Sequence, residues 1–345
     1  MRKIITDLPT ALVDAGEAID HLITTDLNLR GAIHFLYQHA RKKSTLPLAL
    51  AAALGLAETV DEQEAVLIAT GWLDRPHISL EIAETDGPPG AVVLGFAVHQ
   101  AFHAVPIFIV EETLVSRMAS LVEAIGLKVL SPEAALQAAS SSAPIQSASV
   151  LSFPADVEEA DRSARELVDR YKPSAVITVE KGGMNDSGAI CTSRGDDTGE
   201  HQAKADFLVR TALHDGIPTI GIGDGGNEIG MGRIQETIRE GLPFGKVIAP
   251  ATRTDHLVRA TVSNWGAYGV AACLALLTRR REVFHDVETE ERILRRCVDA
   301  GLIDGITGYV REGVDGLPRC VHAGVVAMLS ELIETALSKL RGAES

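Results

Sequence analysis

Basic charge is scarce in this chain: 32 Lys and Arg stand against 47 Asp and Glu, a formal net charge of −15. Nucleic acids and anionic membranes are met by basic faces, so neither is an expected partner. A small anionic substrate stays open, because one Arg or Lys can line a pocket inside an acidic shell. Cysteine is sparse too. Cys191, Cys273, Cys297 and Cys320 make no Cys-x-x-Cys pair, which excludes zinc-ribbon and redox-motif readings and suits reduced thiols. Apolar runs are short. The most apolar stretch, residues 46–57, cannot span a bilayer. Residues 1–7 lack a signal-peptide core. A cytoplasmic protein is expected.

Familiar catalytic signatures are also missing. There is no Gly-x-Ser-x-Gly elbow, and His99 and His103 lack the Glu of a zinc-protease helix. No internal repeat or low-complexity tract is present.

What the chain does have is alternation. Residues 8–60 read as helices, giving an N-terminal helical segment (1–62) packed on an α/β domain (63–345). Apolar runs at 65–70, 105–110, 128–130, 175–179, 217–222 and 246–249 read as strands. Helical patterns lie between and after them, among them 157–171, 202–214, 254–280, 288–300 and 320–341. A Ser- and Ala-rich stretch at 140–149 reads as a connector or seam. Strands separated by helices imply a doubly wound, mostly parallel sheet with flanking helices. Ligands of such sheets bind beyond the C-terminal strand ends. The loops after 65–70, 175–179 and 217–222 should therefore share one rim.

Those loops carry the polar motifs. Glu84-Thr85-Asp86-Gly87-Pro88-Pro89-Gly90 puts two acids before a Pro-started helix, where they would hold a cation, orient an amine or cap the helix. Glu180-Lys181-Gly182-Gly183 runs on to Arg194-Gly195, with Arg194 suited to bidentate carboxylate recognition. Gly223-Asp224-Gly225-Gly226-Asn227-Glu228 follows the strand at 217–222. Gly221-x-Gly223-x-x-Gly226 matches the dinucleotide fingerprint literally, but the segment after it is broken by Gly230 and Gly232, and neither a ribose-binding acid nor a P-loop Lys follows. Asn264, in Ser263-Asn264-Trp265-Gly266, would form a small-molecule wall or a packed helix start. The acids of Asp304-Gly305 and Asp315-Gly316 are expected to shape turns.

Three of these motifs, standing in this order, give the chain a resemblance. The runs 84–90, 223–232 and 263–266 are similar to the D-glutamate cyclase family, specifically its C-terminal, catalytic-type domain, which occurs alone in many bacterial proteins. The likeness extends from about Arg30-Gly31 to Val314-Asp315-Gly316-Leu317 and is loosest over 180–195.

The resemblance implies a lyase that closes D-glutamate to 5-oxo-D-proline and water without ATP. Such chemistry asks for acid and base groups, for which Asp224, Glu228 and Glu84 are the candidates. The N–H groups of Gly225 and Gly226 would stabilise an oxyanion. Arg194 or Lys181 would hold a substrate carboxylate, with Asp86, Glu180, Asn227 and Asn264 completing the pocket. The chemistry requires no cofactor, although Asp86, Asp224, Asn227 and Glu228 suit a divalent cation. A homo-oligomer is compatible with the sequence. The alternatives are a nucleotide or small-ligand binder using residues 221–232, and a related lyase or hydrolase of another amino-acid derivative.

Overall fold

Ala65–Thr70 (β1) is buried along its whole length, as is Val105–Val110 (β2), and strands of this kind need helices on both faces. The computed structural model describes residues 8–143 and 145–342. Before β1 come Thr10–Ile23 (α1), Ala32–Arg41 (α2) and Leu48–Thr59 (α3). Pro88–Phe102 (α4) joins β1 to β2, and Val115–Ala124 (α5), Lys128–Val129 (β3), Pro132–Ala139 (α6) and Ser147–Ser152 (β4) follow. Next are Val157–Tyr171 (α7), Ala175–Val179 (β5), Asp206–His214 (α8) and Thr219–Gly223 (β6). Gln235–Gly241 (α9), Gly245–Ile248 (α10), His256–Arg259 (β7), Ser263–Thr278 (α11) and Val287–Asp299 (α12) come after them. A small hairpin, Gly313–Val314 (β8) with Leu317–Pro318 (β9), leads into Arg319–Gly342 (α13).

The first seven strands form one parallel sheet in the order β3-β4-β2-β1-β5-β6-β7. From β1 the chain winds one way through β2, then returns to the other side of β1 at β5. The order reverses between β1 and β5, where Ile68 lies opposite Ile177. Alternate residues serve opposite faces. Val66 and Ile68 join the core built with α4 and α11, whereas Ala65, Leu67 and Ala69 join the core built with α7 and α8. The doubly wound parallel sheet with a helical N-terminal segment is therefore the observed architecture.

Three short stretches differ from the sequence reading. Residues 246–249 are no strand. Phe244 takes a left-handed φ of 58°, and Ile248 N donates to its carbonyl at 3.0 Å, starting the single helical turn of α10. The last sheet strand is instead β7, placed inside the stretch read as helix at 254–280, and it pairs with β6 from Ile220 to Gly223. Residues 147–149 belong to β4, between β2 and β3, so the Ser-rich connector ends before them. Runs of four to six residues fix no period, and here sheet pairing decides. Among the described residues one helix, α13, is long and apolar enough to cross a membrane, and its Val325, Val326, Leu329, Ile333 and Leu337 are buried in the protein core.

Candidate functional site

The site forms where the sheet order reverses. Asp86, in the loop after β1, accepts the backbone N–H groups of Ser263 and Asn264 at 3.0 Å each and that of Gly87 at 3.0 Å. Asn264 answers across the gap. Its Oδ1 accepts from Gly87 N at 3.0 Å and Gly90 N at 2.7 Å, and its Nδ2 donates to Thr85 O at 3.1 Å. The first turn of a helix leaves N–H groups unpartnered, and here the loop before α4 caps α11 while the first turn of α11 caps α4. Asn264 is thus spent on structure, and Asp86 caps α11 rather than the helix that follows it.

Glu180, the residue after β5, has a positive φ of 45°, and its Oε2 accepts the hydroxyl of Ser263. The loops after β1 and β5 approach so closely that a Cβ on Gly87 (φ 99°) would lie 2.8 Å from Thr70 Oγ1 and 2.9 Å from Glu180 Cβ. Only glycine permits that approach.

The glycine loop after β6 is organised by Glu228, which folds back over it. Its carboxylate accepts from Asp224 N and Gly226 N at 2.8 Å each and from Gly225 N. A Cβ on Gly223 would stand 2.7 Å from the Glu228 carboxyl carbon, so the fold-back itself needs glycine there. The N–H groups of Gly225 and Gly226, expected as oxyanion donors, are therefore occupied, and Glu228 is a buried internal chelator of its loop. Asn227 is also committed, its Nδ2 donating to Cys191 O at 2.8 Å and pinning the 180–195 loop. Asp224 is left facing the other carboxylates.

Two cations that the sequence reading overlooked stand beside it. Arg30, in the turn before α2, reaches Asp224 Oδ2 at 2.9 Å and Asp315 Oδ2 at 3.0 Å. Asp26 fixes the turn by accepting from Arg30 N at 3.0 Å and Gly31 N at 2.8 Å. Arg259, at the end of β7, is fully buried and donates to the carbonyls of Gly223 and Ala260; no carboxylate lies within ion-pair distance of it among the described residues. Asp315 is the other addition. It sits with φ 55° beside Gly316 (φ 79°) in the two-residue turn of the β8–β9 hairpin, an arrangement that Asp-Gly favours. Asp304 shapes this region as expected, accepting from Ile306 N, Thr307 N and Gly316 N. Asp315 does not merely shape a turn.

Asp86, Glu180 and Asp224 each place an oxygen within 4.8 Å of the other two, the arrangement a cation would need. Of the four groups expected to hold one, Asp86 and Asp224 converge and Glu180 joins them, while Asn227 and Glu228 are used elsewhere. Crowding and burial act together on the acids. Burial, reinforced by the Asp224 charge and opposed by three N–H donors, pushes Asp86 up to about 7. Burial and the Asp86 charge raise Asp315 to about 6 against the pull of Arg30. Asp224 is held well above the carboxylate range by burial and the Asp315 charge, and Glu180 by burial and the charges of Glu228 and Asp224. Half-buried Glu84 is raised likewise, by desolvation first and then by Asp315 and Asp86.

Lys181 and Arg194 lie apart from this cluster. Lys181 is buried with its Nζ on Gly71 O at 2.8 Å and paired to Glu111, while Arg194 is exposed with its charge felt at Asp74. Two cavities also lie away from it. One of about 490 Å³ is lined by Glu111, Phe153 and His201, the other, of about 410 Å³, by Leu54, Arg233 and His256.

Acids gathered at the reversal point of a parallel sheet define an α/β protein with an enzyme-type site. The chain belongs to the D-glutamate cyclase-like family: the family's model, described as "D-glutamate cyclase-like, C-terminal", matches residues 19–330. It is 28% identical over 361 residues to "D-glutamate cyclase, mitochondrial" of Homo sapiens, an alignment covering 96% of this chain and 54% of that protein. The chain thus spans about half the length of this curated relative. The membership supports an enzyme of lyase type.

Proposed function

We propose that the chain closes D-glutamate to 5-oxo-D-proline and water. The observation that carries this reading is the meeting of Asp86, Glu180 and Asp224 with an arginine between Asp224 and Asp315. D-glutamate is an ammonium with two carboxylates. The acid cluster suits a cation, and Arg30 suits a carboxylate, which its planar fork can take in place of one acid partner.

In the reaction the α-nitrogen forms a bond to the γ-carboxyl carbon and one carboxyl oxygen departs. The ammonium gives up two protons in all, and the departing oxygen leaves with two as water. Carboxyls raised by burial and by one another, Asp224 and Glu84 among them, are suited to accept and return protons. Arg30 holds the substrate in register, and the caps of α4 and α11 keep Asp86 from swinging away.

Asp86, Glu180 and Asp224 are hard oxygen donors, buried and short of counter-charge, so they fit a divalent cation. When bound, such an ion supplies polarisation of a carboxyl oxygen. The nucleotide alternative loses its donors, because Glu228 already takes the loop N–H groups a phosphate would need. The test is to incubate the protein with D- and L-glutamate, with and without EDTA, and follow 5-oxoproline. Failure to turn over either isomer would sink the reading, and unchanged activity in EDTA would remove the metal from it.

A further inference from the structure

Lys181 joins four strand-end loops at one buried point. Its Nζ donates to Gly71 O, in the loop after β1, at 2.8 Å and pairs with Glu111, the residue after β2. Its own backbone follows β5, and its carbonyl accepts from Ile229 N, in the loop after β6, at 2.8 Å. The Lys181 and Glu111 side chains are 1% and 4% exposed. Glu111 Oε1 also accepts from Ala203 N at 3.0 Å, while its Oε2 has no hydrogen-bond partner. A buried ion pair is often matched or surpassed in stability by apolar residues of similar volume, so it is weak evidence of a stabilising purpose.

The preceding residue suggests another purpose. Glu180 is held at φ 45°, a conformation unfavourable for a residue with a side chain, and such outliers persist where the surroundings over-determine them. From that kink the Glu180 side chain goes to the acid cluster, where Ser263 donates to it, and the Lys181 side chain goes to Glu111. We propose that the Lys181–Glu111 pair is a positioning device, which anchors the chain just past the kink and so aims the Glu180 carboxylate at Asp86 and Asp224. Neither residue touches substrate. The inference rests on the cyclase reading for its kinetic test but not for its structural one.

The experiment uses the double variant E111Q/K181M, which removes both charges and leaves an acceptor for Ala203 N. Hydrogen exchange over residues 179–183 is expected to quicken about tenfold while β6 keeps its protection. The kcat for 5-oxoproline formation is expected to fall about a hundredfold with KM little changed. Adding E180Q to this background should cost far less than E180Q costs in the wild type, since both act through one carboxylate. Unchanged exchange, full kcat in a folded variant, or strictly additive losses would overturn the proposal. If E111Q/K181M does not fold, K181R keeps the charge without the ammonium's point geometry, and the same local loosening is expected; its absence counts against the pair. Wild-type protein inert towards glutamate would defeat the cyclase reading, while exchange would still decide this one.

Discussion

Asp86 and Asn264 cap each other's helices: Asp86 takes the N–H groups of Ser263 and Asn264 that open α11, and Asn264 takes those of Gly87 and Gly90 around the start of α4. Both side chains are buried, and α4 and α11 are apolar nearly all round and lie in the same core. Helix packing and the direction of a site carboxylate are thereby joined in one contact.

Replacing Asn264 separates the two roles. Asn264→Ala leaves the buried N–H of Gly90 without an acceptor and the Thr85 carbonyl without its donor, while Gly87 N keeps Asp86, and should cost about 2–4 kcal/mol, read from the urea midpoint. Asn264→Asp keeps an acceptor but adds a charge beside Asp86. Its penalty should be larger at pH 8 than at pH 5, and an equal penalty at both would show that the acid cluster does not sense this position.

The acids set the pH dependence of stability. Asp86 and Asp315 have ordinary values of 3.8 and stand at about 7 and about 6 in the folded protein. The folded state therefore binds protons more tightly than the unfolded one between about pH 4 and 7. That contribution is fully present below the lower limit and is lost as pH rises through the folded values. Ligand-free protein should be on the order of 2–4 kcal/mol more stable at pH 5 than at pH 8 from this cluster. Urea unfolding at unit steps of pH checks it, and a profile rising from pH 5 to 8 would contradict it.

Asp224→Asn should pull stability and activity in opposite directions. It removes one of several buried like charges, so the melting temperature of ligand-free protein at pH 8 should rise by a few degrees. Turnover should fall by about 100- to 10,000-fold, the range for loss of a positioned acid–base group. Scanning calorimetry and a 5-oxoproline assay on one preparation suffice. Loss of both stability and activity would mean that Asp224 is a structural ion-pair partner of Arg30.

Much of this was legible in the sequence, and the failures have physical causes. The doubly wound sheet followed from apolar runs at helix-separated spacing; Glu180 and Asp224 stood out as acids just past two of them, and Asp86 as one of two acids before a Pro-started helix. What the spacing could not show was how each loop satisfies its own N–H groups. Glu228 looked like a second acid beside Asp224, yet its carboxylate is taken up by three backbone donors of its own loop. Arg30 meets Asp224 across 194 positions of chain, which no local pattern encodes. Arg259 was hidden by reading His256–Arg259 as helix, and a four-residue edge strand fixes no period. Asp315 did carry a signal. Asp-Gly between Val314 and Leu317 is a hairpin turn in miniature, and such a turn could have been asked what its acid faces.

The last prediction concerns charge balance. Five raised carboxyls and the committed Glu228 share their neighbourhood with Arg30 and Arg259. Ionising the acids without an added cation costs desolvation and repulsion together. A divalent cation should therefore stabilise the protein more at pH 8, where fewer of the acids hold a proton, than at pH 5, where protons compete for the same oxygens. At a concentration about 100 times its dissociation constant the gain at pH 8 should be about 2.7 kcal/mol. Glu180→Gln should reduce that gain sharply and Arg194→Ala should leave it intact, since Arg194 is exposed and apart from the cluster. Thermal shift with Mg²⁺ and Mn²⁺ at both pH values measures all of this. Stabilisation that is equal at the two pH values, or insensitive to Glu180→Gln, would place the ion elsewhere and leave the substrate ammonium as the cation these acids await.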